Sequence, residues 1–334
     1  MLKFAVIGAG SWGSAISYYL GRLGFPVKLW VREEEVLADL LSTRINHTFL
    51  PGFEFPVTVS FHRSIAETVE GAQIIFVAVP SQFCRQIYHR IDECMKKGQA
   101  LISLTKGLEQ KSLKTMTEVM EEVFAPSRKP RIGVLSGPSF AREVAAGHPT
   151  ALVLASRDQV LAKELQQSIS SRQLRIYITT DVLGVEIGGA VKNVLAIAAG
   201  ISVGLGYGYN SRAALITRGL VEIIRLGTAL GAKKETFYGL AGLGDLVLTC
   251  TSELSRNYRV GLELTRGKSL KQILAEMKMV AEGVRNTLTV HKLASLKKVE
   301  MPICHQVYEV LYRGKPPHRA LEELMSRDLK EEKI

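Results

Sequence analysis

The sequence predicts an α/β protein of two domains: a doubly wound, largely parallel sheet over residues 1–180, then an all-helical domain over 181–334. Three observations carry this expectation. Eight short apolar runs fall within the first 180 residues, most of them rich in Val, Ile and Leu and without the strict alternation of a half-exposed strand. Polar, helix-permissive stretches separate several of them, as βαβ units require. Beyond residue 180 strand-like runs become rare and long segments of helical period take over. A chain of 334 residues is also longer than most single domains.

The runs, in order, are Lys3–Ile7, Val27–Trp30, Val57–Phe61, Ile74–Val79, Ala100–Leu104, Arg131–Leu135, Ala151–Leu154 and Leu174–Ile178. Each is the length of a strand buried on both faces. Gly8 to Gly13 separates the first run from a helical stretch, Ser14–Leu23. Two prolines make Ala125–Pro130 a loop. The helical part reads as Val182–Gly200, Arg212–Leu230, Ser269–Glu276, Val284–Leu296 and Ile303–Tyr312, with Ser269 and Gln272 spaced as a capping box. The segment GLGYGYNS, 204–211, is too rich in glycine to continue a helix.

Composition excludes several classes. With 46% hydrophobic and 22% charged residues the chain is neither disordered nor fibrous. A net charge of +11 attracts anions, but the basic residues are scattered pairs such as Lys96-Lys97 and Lys233-Lys234. Nucleic acid and anionic lipid favour denser clusters, so small anionic ligands are expected. Cys84, Cys94, Cys250 and Cys304 lack C-x-x-C spacing, which fits a reduced, cytoplasmic compartment and suggests no metal site. Phe4–Leu20 and the uncharged Val194–Ser211 imitate a signal peptide and a membrane span; a buried strand and a buried helix are the preferred readings.

Chemistry concentrates at a few positions. Gly8-x-Gly10-x-x-Gly13 follows a strand and opens a helix, the context of a Rossmann-type dinucleotide site. There the glycines allow a tight turn, approach of a pyrophosphate and close helix packing, and the helix N-terminus favours the anion. A ligand-free glycine turn is the plainer alternative. At the end of the second strand an NAD site usually places an acid, whereas this chain has Arg32 followed by Glu33–Glu35. Arg32 suits adenine stacking or a 2′-phosphate, so NAD(P) is expected, with NADPH tolerated or preferred; a solvated strand-end arginine is the bland reading.

Other strand ends carry Pro80-Ser81, Thr105-Lys106-Gly107 and Ser136-Gly137-Pro138-Ser139. Lys106 puts a cation where an anion would bind; Gly137 and Ser139 offer donors. In the helical domain Gly188, Lys192, Ala196, Ala199 and Val203 share one helix face. A lysine there needs a partner or a task unless its stem reaches water. Asp245 is a lone carboxylate in an apolar, glycine-rich segment. Ser255-Arg256-Asn257 has the donors of a phosphate clamp, although Arg256 alone fits a surface ion pair.

Over nearly its whole length the chain resembles the bacterial NAD(P)-dependent glycerol-3-phosphate dehydrogenases. The strings that carry the resemblance are GAGSWGSA, AVPSQ, TKGLE, SGPSFAREV, EIGGAVKNVLAIAAGI, NSRAALITRGL, GLAGLGDLVLTCTS, LSRN and VAEGVRN. It implies cofactor contacts at Ser11, Trp12, Arg32, Lys106, Ala141, Arg256, Val280 and Glu282, beside Gly8, Gly10 and Gly13. It implies substrate contacts at Lys106, Gly137, Ser139, Lys192, Asp245, Ser255, Arg256 and Asn257, with Lys192 as the proton-transfer residue. The implied reaction is hydride transfer from NAD(P)H to dihydroxyacetone phosphate, giving sn-glycerol 3-phosphate for phospholipid synthesis. Expected partners are this small anionic substrate and a second copy in a homodimer, with no nucleic acid and no stable membrane insertion. Val203 and Tyr209 depart from the family, where aspartates are expected. A β-hydroxyacid or ketopantoate-type dehydrogenase and a non-catalytic NAD(P) sensor remain as alternatives.

Overall fold

The computed structural model describes residues 1–126, 129–277, 279–329 and 331–332. Of the loop expected over Ala125–Pro130, Ser127 and Arg128 lie outside the described residues. The chain divides into two compact units, Met1–Thr105 with Thr115–Val182, and Lys106–Lys114 with Leu183–Ile334. Along the chain the break falls at 182–183, and one earlier segment goes with the second unit. The short loop Lys106–Lys114, assigned to the first domain by its place in the chain, packs with the helical unit through Leu108 and Leu113.

The first unit is built on strands β1 (Phe4–Ile7), β2 (Val27–Trp30), β3 (Ile45–Asn46), β4 (Leu50–Glu54), β5 (Val59–His62), β6 (Ile74–Val77), β7 (Ala100–Ser103), β8 (Arg131–Ser136), β9 (Thr150–Ala155) and β10 (Leu174–Thr179). Eight of them form one sheet in the order β10-β9-β8-β7-β6-β1-β2-β5. All neighbours are parallel except β8 and β9, where Leu135 faces Leu154 in antiparallel register. Alternate residues of each inner strand feed opposite cores: Phe4, Val6, Ile74, Phe76 and Ile102 on one face, Ala5, Ile7, Ile75, Val77 and Leu101 on the other. This explains the continuous apolar runs. Burying a side chain such as Phe76 contributes about 1.5–3 kcal/mol. From β1 the chain moves outward to β2 and β5, then returns to β6 on the other side of β1, so the strand order reverses beside Gly8.

The sequence signal missed the β3–β4 hairpin, because Pro51 and Gly52 interrupt its pattern. In the helical unit the long helix Val182–Gly204 is the core, ringed by Tyr209–Ala229, Arg256–Thr265, Glu282–Lys297 and Pro302–Arg313. By length and composition this helix could cross a membrane, but 89% of its most apolar window is buried in the protein itself. Only Leu205–Gly208 of the expected GLGYGYNS break is non-helical; Tyr209–Ser211 begin the next helix, capped by Gly208. The capping box at Ser269 and Gln272 is formed.

Candidate functional site

In the sheet unit the turn after β1 forms a cradle. Gly8 has φ +114°, and a Cβ there would stand 2.7 Å from the Ala78 carbonyl oxygen on the neighbouring strand. A Cβ on Gly13 would meet the Gly8 carbonyl at 1.9 Å. Gly10, by contrast, faces open space: nothing lies within 4 Å of the Cβ it lacks. It caps the helix Ser11–Arg22 without any side-chain bond, so the positive end of that helix is left to an incoming anion. Asn46 props the turn, donating to the Ala9 carbonyl at 2.9 Å and to Ser14 Oγ at 2.9 Å. Trp12 Nε1 is buried with no hydrogen-bond partner, and Trp12 and Ala141 pack around one small cluster with Ala15 and Ala145. These features fit a dinucleotide: an open face for pyrophosphate at Gly10, uncapped helix N–H groups and an orphaned indole donor beside them.

Parallel pairing puts the ends of β1, β2, β6, β7 and β8 along the same edge. Arg32, just past β2, is 61% exposed in its side chain and pairs with Glu33 at 2.6 Å, its guanidinium 5.7 Å above the Phe83 ring. Arg63, past β5, donates to the Arg32 carbonyl and pairs with Glu34 at 3.0 Å. Gln82 Oε1, past β6, is buried and unpartnered. Past β8, Gly137 has φ +130° and its carbonyl accepts Ser139 Oγ at 3.0 Å.

The helical unit assembles the charged residues. Lys192 Nζ donates to Asp245 Oδ1 at 2.5 Å and to Thr249 Oγ1 at 2.7 Å, and Lys106 Nζ donates to Asp245 Oδ2 at 2.7 Å. Thr249 lies one turn after Asp245, and its hydroxyl donates a hydrogen bond to the Asp245 carbonyl at 2.7 Å. The approach depends on Gly188, one turn before Lys192, where a Cβ would stand 2.5 Å from the Ala241 carbonyl. The π-helical Leu240–Gly244 is thereby allowed against the long helix, and Asp245 follows it directly.

Lys192 does not reach water: the residue is 5% exposed and Asp245 0%. Burial pushes Lys192 down to about 8; Lys106 adds to the fall and Asp245 resists it. Burial alone would raise Asp245, but the Lys106 and Lys192 ammoniums together hold it below the ordinary carboxylate range. Two cations on one carboxylate leave a net positive charge where little water competes, a setting for an anion and for proton transfer near neutral pH. The neighbouring Cys250 thiol is pushed up to about 12 by burial, so it stays protonated.

A second group surrounds the clamp segment. Ser255 caps the helix Arg256–Thr265, its Oγ accepting the Tyr258 N–H at 3.3 Å. Arg256 Nη1 donates to the Val280 carbonyl at 3.0 Å, and Glu282 opens the helix that follows, so these three expected cofactor residues lie close together. Asn257 is turned inward: it donates to Asn193 Oδ1 and accepts the Gly283 N–H, both at 2.9 Å. Sequence reasoning missed Thr249, Asn193, Asn286 and Asn46. Only Thr249 carried a signal, its four-residue spacing from Asp245 on one helix face; the asparagines act through distant backbone that no local pattern reveals.

Comparison with known proteins finds relatives that span the chain. Residues 3–162 match the family model of the NAD-dependent glycerol-3-phosphate dehydrogenase N-terminus, and residues 181–322 that of its C-terminus. The chain is 49% identical over 331 residues to the glycerol-3-phosphate dehydrogenase [NAD(P)+] of Solidesulfovibrio magneticus, covering 99% of this chain and 100% of that protein. Against the enzyme of the same name from Geobacter sulfurreducens it is 48% identical, with 99% of each chain covered. The crystal structure of glycerol-3-phosphate dehydrogenase from Coxiella burnetii superposes with a TM-score of 0.94 at 40% identity, covering 98% of this chain and 99% of that one.

Proposed function

The chain belongs to the NAD-dependent glycerol-3-phosphate dehydrogenase family, and from that premise we propose that it reduces dihydroxyacetone phosphate to sn-glycerol 3-phosphate with NAD(P)H. The alternatives raised by the sequence, an oxoacid dehydrogenase and a cofactor sensor, give way to a family match that spans both units and to a full-length relative at 49% identity. The observation that carries the mechanism is the buried Asp245 carboxylate gripped by two ammoniums.

When bound, the nicotinamide cofactor supplies the hydride. Lys192, held on Asp245 and Thr249, points its ammonium at the substrate carbonyl oxygen, steadies the charge that develops there and donates the proton. Asp245 keeps that lysine charged despite burial and sets its direction. Lys106 balances the carboxylate and meets substrate and cofactor together. Of the expected clamp, Arg256 serves the phosphate directly, while Ser255 caps its helix and Asn257 braces it through Asn193 and Gly283; Gly137 and Ser139 are the further expected substrate donors. Arg256 holds the fork that binds two phosphate oxygens. Gly8, Gly10, Ser11, Trp12, Gly13, Arg32, Ala141, Val280 and Glu282 hold the dinucleotide. We place the enzyme in the cytoplasm, as a homodimer, supplying glycerol phosphate to phospholipid synthesis.

The test is oxidation of NADH and of NADPH by wild type and Lys192→Ala, with dihydroxyacetone phosphate and a panel of oxoacids. The phosphate substrate should be turned over far faster than any oxoacid, and Lys192→Ala should lose roughly 10²-fold or more in kcat while still binding cofactor. Preference for an oxoacid overturns the substrate assignment, and near-normal turnover by the variant overturns the role of Lys192.

A further inference from the structure

Asn286 is fully buried on the helix Glu282–Lys297, and every polar atom of its side chain is used. Its Nδ2 donates to the Lys106 carbonyl at 3.1 Å and to the Ala190 carbonyl at 3.1 Å, while its Oδ1 accepts the Leu108 N–H at 3.4 Å. One amide thus joins the loop that carries Lys106 to the helix that carries Lys192, two residues from that lysine. Asn193 reinforces it, donating to the same Lys106 carbonyl at 3.1 Å. Only a group that both donates and accepts can meet carbonyls and an N–H at once; a carboxylate lacks the donors and an alkyl group lacks both.

We propose that Asn286 is a positioning residue of the dehydrogenase reaction: it clamps the backbone of Lys106 so that the Lys106 ammonium stays on Asp245. The proposal rests on the dehydrogenase reading above. Without the clamp, the Lys106 carbonyl loses one of the two side-chain amides that donate to it, and its ammonium leaves the carboxylate for part of the time. Two consequences follow. Lys106 no longer presents its charge to substrate in a fixed place, so turnover falls. Lys192 also feels less of a neighbouring cation, while Asp245 and the protonated Cys250 still face it, so it holds its proton to higher pH. A purely structural role lowers stability without moving that titration.

The experiment uses the full-length protein with Asn286→Ala and Asn286→Ser, the serine keeping one donor and one acceptor. Lys192 is titrated by NMR of its isotope-labelled Nζ, assigned by comparison with Lys192→Arg, across a pH series, and kinetics with dihydroxyacetone phosphate run in parallel. The expected results are a Lys192 midpoint raised by about half a unit to one unit in the alanine variant, and less in the serine variant. Turnover should fall on the order of ten- to a hundredfold in the alanine variant, partly rescued by serine. A folded variant with the midpoint unmoved overturns the proposal. Failure of both variants to fold also overturns it, because the amide then serves the fold and not the lysine. A wild type that ignores dihydroxyacetone phosphate sinks the proposed function instead and leaves the NMR titration to judge Asn286.

Discussion

Replacing Asp245 with asparagine tests the charge balance of the helical unit. The carboxylate is fully buried and takes Lys192 at 2.5 Å on one oxygen and Lys106 at 2.7 Å on the other. Burial has already brought Lys192 down to about 8 against the pull of Asp245. The amide of Asp245→Asn keeps the shape and removes the charge. An adjacent opposite charge holds a pKa in place by about 1–3 units, so Lys192 in the variant should titrate at about 5–7. At neutral pH its ammonium then drops from about nine-tenths populated to about half or less. Reduction consumes that proton, so kcat/KM for dihydroxyacetone phosphate falls as pH rises through the Lys192 pKa. This alkaline limb should move from near 8 in wild type to lower pH by the same 1–3 units or so, with activity partly regained on acidification. The reverse reaction needs the neutral amine, and its acid limb should move in the same direction. Initial rates of NADH oxidation across the pH range give the profile. Breaking a buried ion pair costs about 3–5 kcal/mol, so a thermal melt first establishes that the variant is folded. A uniform loss of rate with the limb unmoved refutes the reasoning, for Asp245 would then act on substrate and not through the lysine.

Arg256→Ala should weaken dihydroxyacetone phosphate binding by about ten- to a hundredfold, the scale of a charge-assisted bond, and Arg256→Lys should lose less; equal damage with unphosphorylated dihydroxyacetone would show that the arginine serves cofactor or fold. Arg32→Ala should weaken NADPH more than NADH, measured by fluorescence titration, and equal losses would mean that Arg32 does not read the 2′-phosphate. Glu222 is 2% exposed and accepts the N–H groups of Ile303 at 2.6 Å and Cys304 at 3.0 Å. Burial nevertheless pushes it up from 4.5 to about 7. A raised carboxyl pKa means that the folded state binds the proton more tightly, so the stability it contributes is complete below 4.5 and is lost as pH rises to about 7. The melting temperature of Glu222→Gln should therefore gain on that of wild type over this window, and a pH-independent difference would contradict the assignment.

What the chain determined by itself is what short range can encode. The eight apolar runs named all eight strands of the main sheet: strands buried on both faces are apolar at every position, as Phe4–Ile7 and Ile74–Val77 are, while the outermost Val59–His62 and Leu174–Thr179 show only alternate buried apolar residues. The turn from Gly8 to Gly13 was equally legible, since a missing Cβ is a property of the residue and its reasons, the Ala78 and Gly8 carbonyls, lie on adjoining elements. Lys192 and Asp245 stood out as charges in apolar surroundings. Their partnership did not, because 53 residues separate them and only the tertiary fold sets one ammonium against the carboxylate. The same holds for Lys106. Its ammonium reaches Asp245 across 139 residues and its carbonyl meets Asn286 across 180, so the loop Lys106–Lys114 belongs to the helical unit despite its position in the chain. A hydrogen bond to a backbone carbonyl depends on where the carbonyl is, not on the side chain that bears its name, and no spacing in the sequence records that.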